Sequence, residues 1–300
     1  MSGIAASASN ASSASSASKA QAPAITRIDG AFGVEVRHVS AANLGAALPD
    51  LRRAFLEHHL VVLRDIALDE AQFQGLAEHF GPLETSYVMR RPNGEVSTAV
   101  HLIQNLDRDG QVVANPYGNA NYFWHTDKQY HARPSLLTML QAIELPPAGG
   151  DTEFADLCAA YDALPAALQQ RLAGLRAVYS YAHMLRTCLK REPTAEELAK
   201  APPLTHPLVR TQVETGRKSL FLGMYCSAIV GMPDAEARDL IAELHAHALQ
   251  PRFRYTHHWR PGDLLFWDNR CLIHRAIANF EIGKHRRVLR RAVVRGEVPI

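Results

Sequence analysis

Three hundred residues suit one large domain or two small ones, and 47% apolar with 21% charged residues is the composition of a globular chain. A formal net charge of +2 creates no field that would gather nucleic acid or an anionic membrane, and no stretch approaches the roughly 18 uncharged apolar residues that a membrane span requires. The four cysteines, Cys158, Cys188, Cys226 and Cys271, have no C-x-x-C spacing, so they read as reduced, mostly buried thiols in a cytoplasmic protein.

Residues 1–24 are almost entirely Ala, Ser and Asn, with neither the basic start nor the apolar core of a secretory signal. Such a segment cannot bury enough surface to offset its ordering entropy, which predicts a disordered tail. The remainder, 25–300, shows no linker and no internal repeat and is expected to be a single domain. Residues 25–38 carry short β-prone runs broken by Asp29-Gly30 and Gly33. Leu48, Leu51 and Phe55 have helical spacing within 46–59, and Val61-Val62-Leu63 reads as a buried strand. Asp69 is placed to cap a helix that runs to about Phe80, before Gly81-Pro82.

Residues 84–121 are loop-rich, with turn signals at Pro92-Asn93-Gly94 and Asp107-Arg108-Asp109-Gly110; segments of this kind are often lids or binding loops. A strand is predicted over 136–145, followed by a Gly149-Gly150 turn, with helices over 156–173 and 233–249. The last third alternates short strands and turns: 252–259, 264–267, 271–276 and 288–294. Strands at this density, with few signs of βαβ units, predict a mainly β fold with helices packed outside, a β-sandwich or jelly roll.

The chemistry concentrates in a few short motifs. If residues 123–128 are extended, His125 and Asp127 project to one face. A second imidazole, His274, in a hairpin that begins at Trp267, would complete two histidines and one carboxylate. That facial set holds non-haem Fe(II) and leaves coordination sites open. Composition alone supplies about one H-x-D in a chain with 15 histidines, so the tripeptide gains meaning only from its surroundings. Downstream, Arg287, Leu289 and Arg291 would share one strand face. If that face looks inward, the arginines need an anion, because an unpaired buried guanidinium is costly, and a dicarboxylic co-substrate would supply one. A solvated basic edge strand is the competing reading. Gly149-Gly150-Asp151-Thr152 offers a hydroxyl donor after a strand end, or simply a glycine turn. Adjacent His58-His59 and His257-His258, and His245 with His247, do not chelate well on regular elements, and none is assigned to metal.

Taken in order, His125-Thr126-Asp127, Gly149-Gly150-Asp151-Thr152, Trp267-Asp268-Asn269-Arg270, His274 and the basic run 286–291 resemble the taurine dioxygenase and 2,4-dichlorophenoxyacetate dioxygenase family. Similarity is greatest to its dichlorophenoxyacetate branch, through 149–156, 159–165, 207–211 and 262–275, and it spans about 25–298. The resemblance implies a double-stranded β-helix of the jelly-roll, clavaminate-synthase-like kind. It implies Fe(II) held by the catalytic residues His125, Asp127 and His274, with 2-oxoglutarate as co-substrate and O2 as oxidant. Thr152 and Arg291 match the residues that hold the distal carboxylate of 2-oxoglutarate, with Arg287 a second arginine nearby, and Asn121 matches a residue lining the substrate pocket.

The segment 84–91 lacks a histidine that taurine dioxygenase carries there, which argues against taurine itself; Arg90, with Arg91, is either a substrate-anion contact or part of a solvated loop. The implied reaction hydroxylates a small organic anion, aryloxyacetate-like, and cleaves its ether, releasing succinate and CO2. A sulfonate or alkyl sulfate is the alternative substrate, and a β-barrel binding protein the alternative outside enzymes. A zinc hydrolase would want an H-E-x-x-H motif, which is absent. The implied partner is a small molecule, with neither nucleic acid nor membrane; self-association into a homo-oligomer is compatible with this.

Overall fold

The run Leu60-Val61-Val62-Leu63, apolar at every position, forms a strand buried on both faces. Successive side chains on a strand point to opposite sides. Val61 and Leu63 accordingly meet the helices Leu44–His58 and Glu70–Glu78 through Leu51, Phe55, Phe73 and Leu76, whereas Leu60 and Val62 face a second apolar cluster on the other side. The second of these helices starts as its sequence predicts. Asp69 accepts from the Gln72 amide while the Gln72 side chain accepts from the Asp69 amide, a reciprocal capping box.

The computed structural model describes residues 21–28, 30, 32–85, 89–90, 96–97, 99–114 and 120–300, with the strands at 89–90 and 96–97 described by backbone alone. Most of the predicted tail and the Pro92-Asn93-Gly94 turn lie outside the described residues. A seven-stranded sheet runs in the order Ala24–Arg27, Val34–Arg37, Leu60–Leu63, Leu264–Asp268, Ser135–Glu144, Val288–Arg295, Val100–Gln104. Its neighbours are antiparallel except for Val34–Arg37 beside Leu60–Leu63. A smaller antiparallel sheet orders Arg254–His257, Thr152–Asp156 and Leu272–Ala276. Phe154 and Leu272 from the small sheet pack with Leu60, Val62, Leu140, Leu265, Trp267 and Leu289 from the large one, so a shared core joins the two. A third cluster gathers the helices Leu157–Asp162, Ala166–Leu172, Tyr181–Thr187 and Asp234–Ala248 around Tyr179, Phe221 and Leu244.

Four expectations change. Residues 123–128 do not form a strand; His125 makes an isolated bridge with His274, and the chain then turns through Lys128, whose φ is +52°. The segment 264–276 is not a hairpin, because Leu264–Asp268 belongs to the large sheet and Leu272–Ala276 to the small one, with Asp268-Asn269-Arg270 crossing between them. The helix expected over 156–173 is two, Leu157–Asp162 and Ala166–Leu172, since Pro165 lacks an N–H and disfavours helical backbone before it. The loop-rich 84–121 contains a strand, Val100–Gln104, that lines the site.

Candidate active site

His125 and His274 are brought together by backbone before side chain. The amide of each donates to the carbonyl of the other at 2.9 Å, an antiparallel bridge that adds His125 to the edge of the small sheet and leaves the imidazole centroids 4.2 Å apart. Asp127, two residues on, reaches the same point from the turn. One donor atom each of His125, Asp127 and His274 lies within 4.8 Å of the other two, and all three residues are buried.

Neighbouring groups set the chemistry of each donor. Nδ1 of His125 donates to the Phe123 carbonyl at 2.8 Å, which fixes the tautomer and leaves the Nε2 lone pair on the side of Asp127, 3.9 Å from its Oδ1. Thr138 Oγ1 donates to Oδ2 of Asp127. Asn269 Nδ2 in turn donates to Thr138 Oγ1 at 3.0 Å, and Asn269 Oδ1 accepts from Trp267 Nε1 at 3.1 Å. Burial pushes both imidazoles down, His274 well down, where its neighbour His125 reinforces the effect. The Asp127 carboxyl is held well below its usual range by Arg291 and by the Thr138 hydroxyl that donates to it, despite the opposing cost of burial. Two neutral imidazoles and an ionised carboxylate are the protonation states that a divalent ion needs from its ligands. Nδ1 of His274 is buried with no hydrogen-bond partner. The donor set, N, N and O on one side of an open cavity, fits non-haem Fe(II).

The cavity measures about 390 Å³, in the size range of a small-molecule site. Period-2 alternation explains much of its lining, although Leu102 borders the cavity as well as His101 and Ile103. Leu289 and Arg291 project inward from one strand, joined by Arg287 just before it; His101 and Ile103 come from the next strand, and Leu140 from the third. Thr152, His274 and Ala276 come from the small sheet, where Ala276 pairs with Thr152. Asn121 enters from the single turn Ala120–Tyr122. A narrower recess continues past Ile103, Asn121 and Arg287, walled by Tyr122, Phe280 and Ile282.

The two arginines occupy different ends. Arg291 Nη2 lies 2.8 Å from Oδ1 of Asp127, whereas Arg287 Nε donates to the Gly150 carbonyl at 2.9 Å, beside the segment that carries Thr152. Thr152 Oγ1 accepts from Trp259 Nε1 at 3.1 Å, which frees its own proton for another acceptor. The backbone at Arg90 belongs to the short ribbon Met89–Arg90 with Val96–Ser97, and its side chain lies outside the described residues.

His101 and Ile103 line the cavity without having been singled out from sequence. Their spacing of two within Val100-His101-Leu102-Ile103 was the available signal, obscured by the turn residues around it. His101 is pushed down to about 3, by burial first and then by Arg291, so a neutral imidazole faces the cavity.

Comparison with known proteins shows the family. Residues 23–293 match the family model described as taurine catabolism dioxygenase TauD, TfdA family, and the chain belongs to that family of enzymes. It is 41% identical over 270 residues to an alpha-ketoglutarate-dependent 2,4-dichlorophenoxyacetate dioxygenase of Cupriavidus pinatubonensis, covering 87% of this chain and 93% of that one. It is 35% identical over 263 residues to an (S)-phenoxypropionate/alpha-ketoglutarate-dioxygenase of Sphingobium herbicidovorans, covering 84% and 88%. A crystal structure of AAD-2 in complex with Mn(II) and N-oxalylglycine superposes with a TM-score of 0.81 at 29% identity, covering 93% of this chain and 98% of the other.

Proposed function

We propose that this chain is an Fe(II)- and 2-oxoglutarate-dependent dioxygenase that hydroxylates a small organic anion of the aryloxyacetate class. The observation that carries the reading is one cavity that contains the two-histidine, one-carboxylate set together with Thr152, Arg287 and Arg291. His125, Asp127 and His274 hold Fe(II). The two sheets sharing a core are read as a double-stranded β-helix, within one catalytic domain over 25–300, in a cytoplasmic enzyme.

The co-substrate clamp is assigned with one change from the expectation. Thr152 and Arg287, whose Nε donates to the carbonyl of Gly150 two residues before Thr152, take the distal carboxylate of 2-oxoglutarate; Arg291, against Asp127, stands at the metal end. A hydroxyl and a guanidinium on one carboxylate make charge-assisted bonds that fix the oxoacid's orientation. Fe(II), once bound, lets O2 and 2-oxoglutarate together oxidise a C–H bond, with succinate and CO2 released. This chain's own residues orient both organic molecules and line the reaction space with apolar groups. Leu140, Ile103, Leu289 and Ala276, with the recess of Tyr122, Phe280 and Ile282, offer an aromatic ring a dry wall, and Asn121 offers it a polar contact. Arg90 remains the proposed partner of the substrate's own carboxylate.

Hydroxylation of the carbon between an ether oxygen and a carboxylate gives a hemiacetal. Its collapse breaks the C–O bond, transfers the hydroxyl proton to the leaving aryloxide and yields a phenol and an aldehyde acid. Reconstitution with Fe(II) under anaerobic conditions, followed by oxygen-consumption and succinate measurements against aryloxyacetates, sulfonates and sulfate esters, tests the reading. Turnover is expected with aryloxyacetates; turnover confined to sulfonates or sulfate esters would replace the substrate class. His125→Ala is expected to keep the fold by circular dichroism and lose succinate formation, and retained turnover would refute the ligand assignment.

A further inference from the structure

A second group of metal-ligating side chains lies away from the cavity. One ring nitrogen of His59 and the sulfurs of Cys158 and Cys271 are all within 4.8 Å of one another. His59 is 1% exposed and both cysteines 0%. Nε2 of His59 is buried with no hydrogen-bond partner, and an orphaned buried donor or acceptor costs roughly 1–3 kcal/mol.

Backbone bonds hold the three segments in place. Asp268 N donates to the His59 carbonyl and Leu157 N to the Cys271 carbonyl, each at 2.9 Å. His59 ends the helix Leu44–His58 with φ +64°, a left-handed setting uncommon for a residue other than glycine. The neighbouring carboxylates are engaged elsewhere. Asp156 Oδ1 accepts from the amides of Cys158 and Ala159, and Asp268 takes Arg270 and Gln212. The donors that remain are two sulfurs and an imidazole nitrogen, a soft set suited to a thiophilic cation. Two thiolates balance the charge of a divalent ion, so the loaded site is neutral and its burial is not prohibitive.

We propose that His59, Cys158 and Cys271 form a structural zinc(II) site that ties the end of the first long helix, the start of Leu157–Asp162 and the corner leading to His274. Loading forms one Zn–N and two Zn–S bonds and releases two protons from the thiols to solvent, with no change of oxidation state. Three protein donors leave the fourth position of a tetrahedral ion to an exogenous ligand.

Cobalt(II) added to reduced, metal-free full-length protein reads this site separately from the cavity. Thiolate-to-cobalt charge-transfer absorption needs sulfur ligands, which His125, Asp127 and His274 do not provide. The band is expected in the wild-type chain and in His125→Ala, lost in Cys158→Ser and Cys271→Ser, and kept in Cys188→Ser and Cys226→Ser. Zinc content measured in the His125→Ala background is expected to be one equivalent per chain and to fall to none on adding Cys271→Ser. Absence of the band from the folded wild-type chain would overturn the proposal without recourse to any variant. So would a band that survives both cysteine substitutions, or isolation of the two thiols as a disulfide that binds no cobalt after reduction.

Discussion

Nη2 of Arg291 stands 2.8 Å from Oδ1 of Asp127, and both side chains are largely buried. The guanidinium keeps the carboxylate ionised, yet it is a cation beside the oxygen that a metal would use. Standing at the metal end, Arg291 is assigned the carboxylate of 2-oxoglutarate nearer the metal, so Arg291→Gln removes a competitor for Fe(II) and a partner for the oxoacid at once. Metal retention is therefore expected to stay the same or tighten, measured by anaerobic titration. The KM for 2-oxoglutarate is expected to rise by roughly 10-fold to 150-fold, because a hydrogen bond to a charged group is worth about 1.5–3 kcal/mol. Loss of metal binding instead would mean that Arg291 is needed to assemble the carboxylate.

Thr138 acts through Asp127. Its hydroxyl donates to Oδ2, and Asn269 and Trp267 brace it from behind. Thr138→Val preserves the volume but leaves a buried carboxylate oxygen without its donor. The expected result is an affinity for Mn(II) or Fe(II) lower by about 10–100-fold, the usual range for lost support behind a ligand, with Thr138→Ser restoring most of it. Equal metal affinity in wild type and Thr138→Val, by calorimetry on folded protein, would show that the hydroxyl does not position the ligand.

The strand-rich character, the capped helix at Asp69 and the convergence of His125, Asp127 and His274 were legible in sequence because each rests on local pattern or on motif order. The geometry that delivers His125 and His274 was not. Alternation suggested a strand at 123–128, but only the mutual backbone bonds of two residues far apart in sequence create the bridge. The sheet crossing at Asp268-Asn269-Arg270 was hidden for a related reason: a turn between two strands looks the same whether they pair with each other or with different sheets. His101 and Ile103 were masked by turn residues on both sides, and His59 meets Cys158 and Cys271 through long-range packing that no spacing rule reads.

The glycine turn before Thr152 is shaped by what passes over it. Gly149 and Gly150 have φ of +75° and +72°, and a Cβ on Gly150 would lie 3.0 Å from Nε of Arg287. Gly150→Ala is expected to fold with a loss of about 1 kcal/mol from the left-handed backbone, to press Arg287 off its carbonyl contact and to raise the KM for 2-oxoglutarate more than it lowers kcat. A Cβ on Gly149 would meet the Asn279 carbonyl oxygen at 2.1 Å, and Gly149→Ala is expected to destabilise the whole chain in thermal melts. If Gly150→Ala leaves the KM unchanged, Arg287 does not hold the co-substrate.

His206 ties acid stability to the core. It is 3% exposed, packed against Tyr179 and Phe221, with Nε2 donating to the His131 carbonyl at 2.9 Å. Burial first, and then Arg210 and Arg176, push it down to about 4 from the ordinary 6.5, against the opposing effect of that hydrogen bond. Because the folded value is depressed, the unfolded chain takes up the proton first. The neutral core histidine contributes its stability fully above pH 6.5 and loses it as pH falls toward 4, by up to about 1.4 kcal/mol per pH unit for one proton. His206→Gln retains a donor without titrating. Its unfolding free energy, measured by urea titration at steps between pH 7 and 4, is expected to fall less steeply than that of the wild type, by up to about one proton's worth of slope. Parallel curves for the two proteins would show that His206 takes up no proton on unfolding in this range.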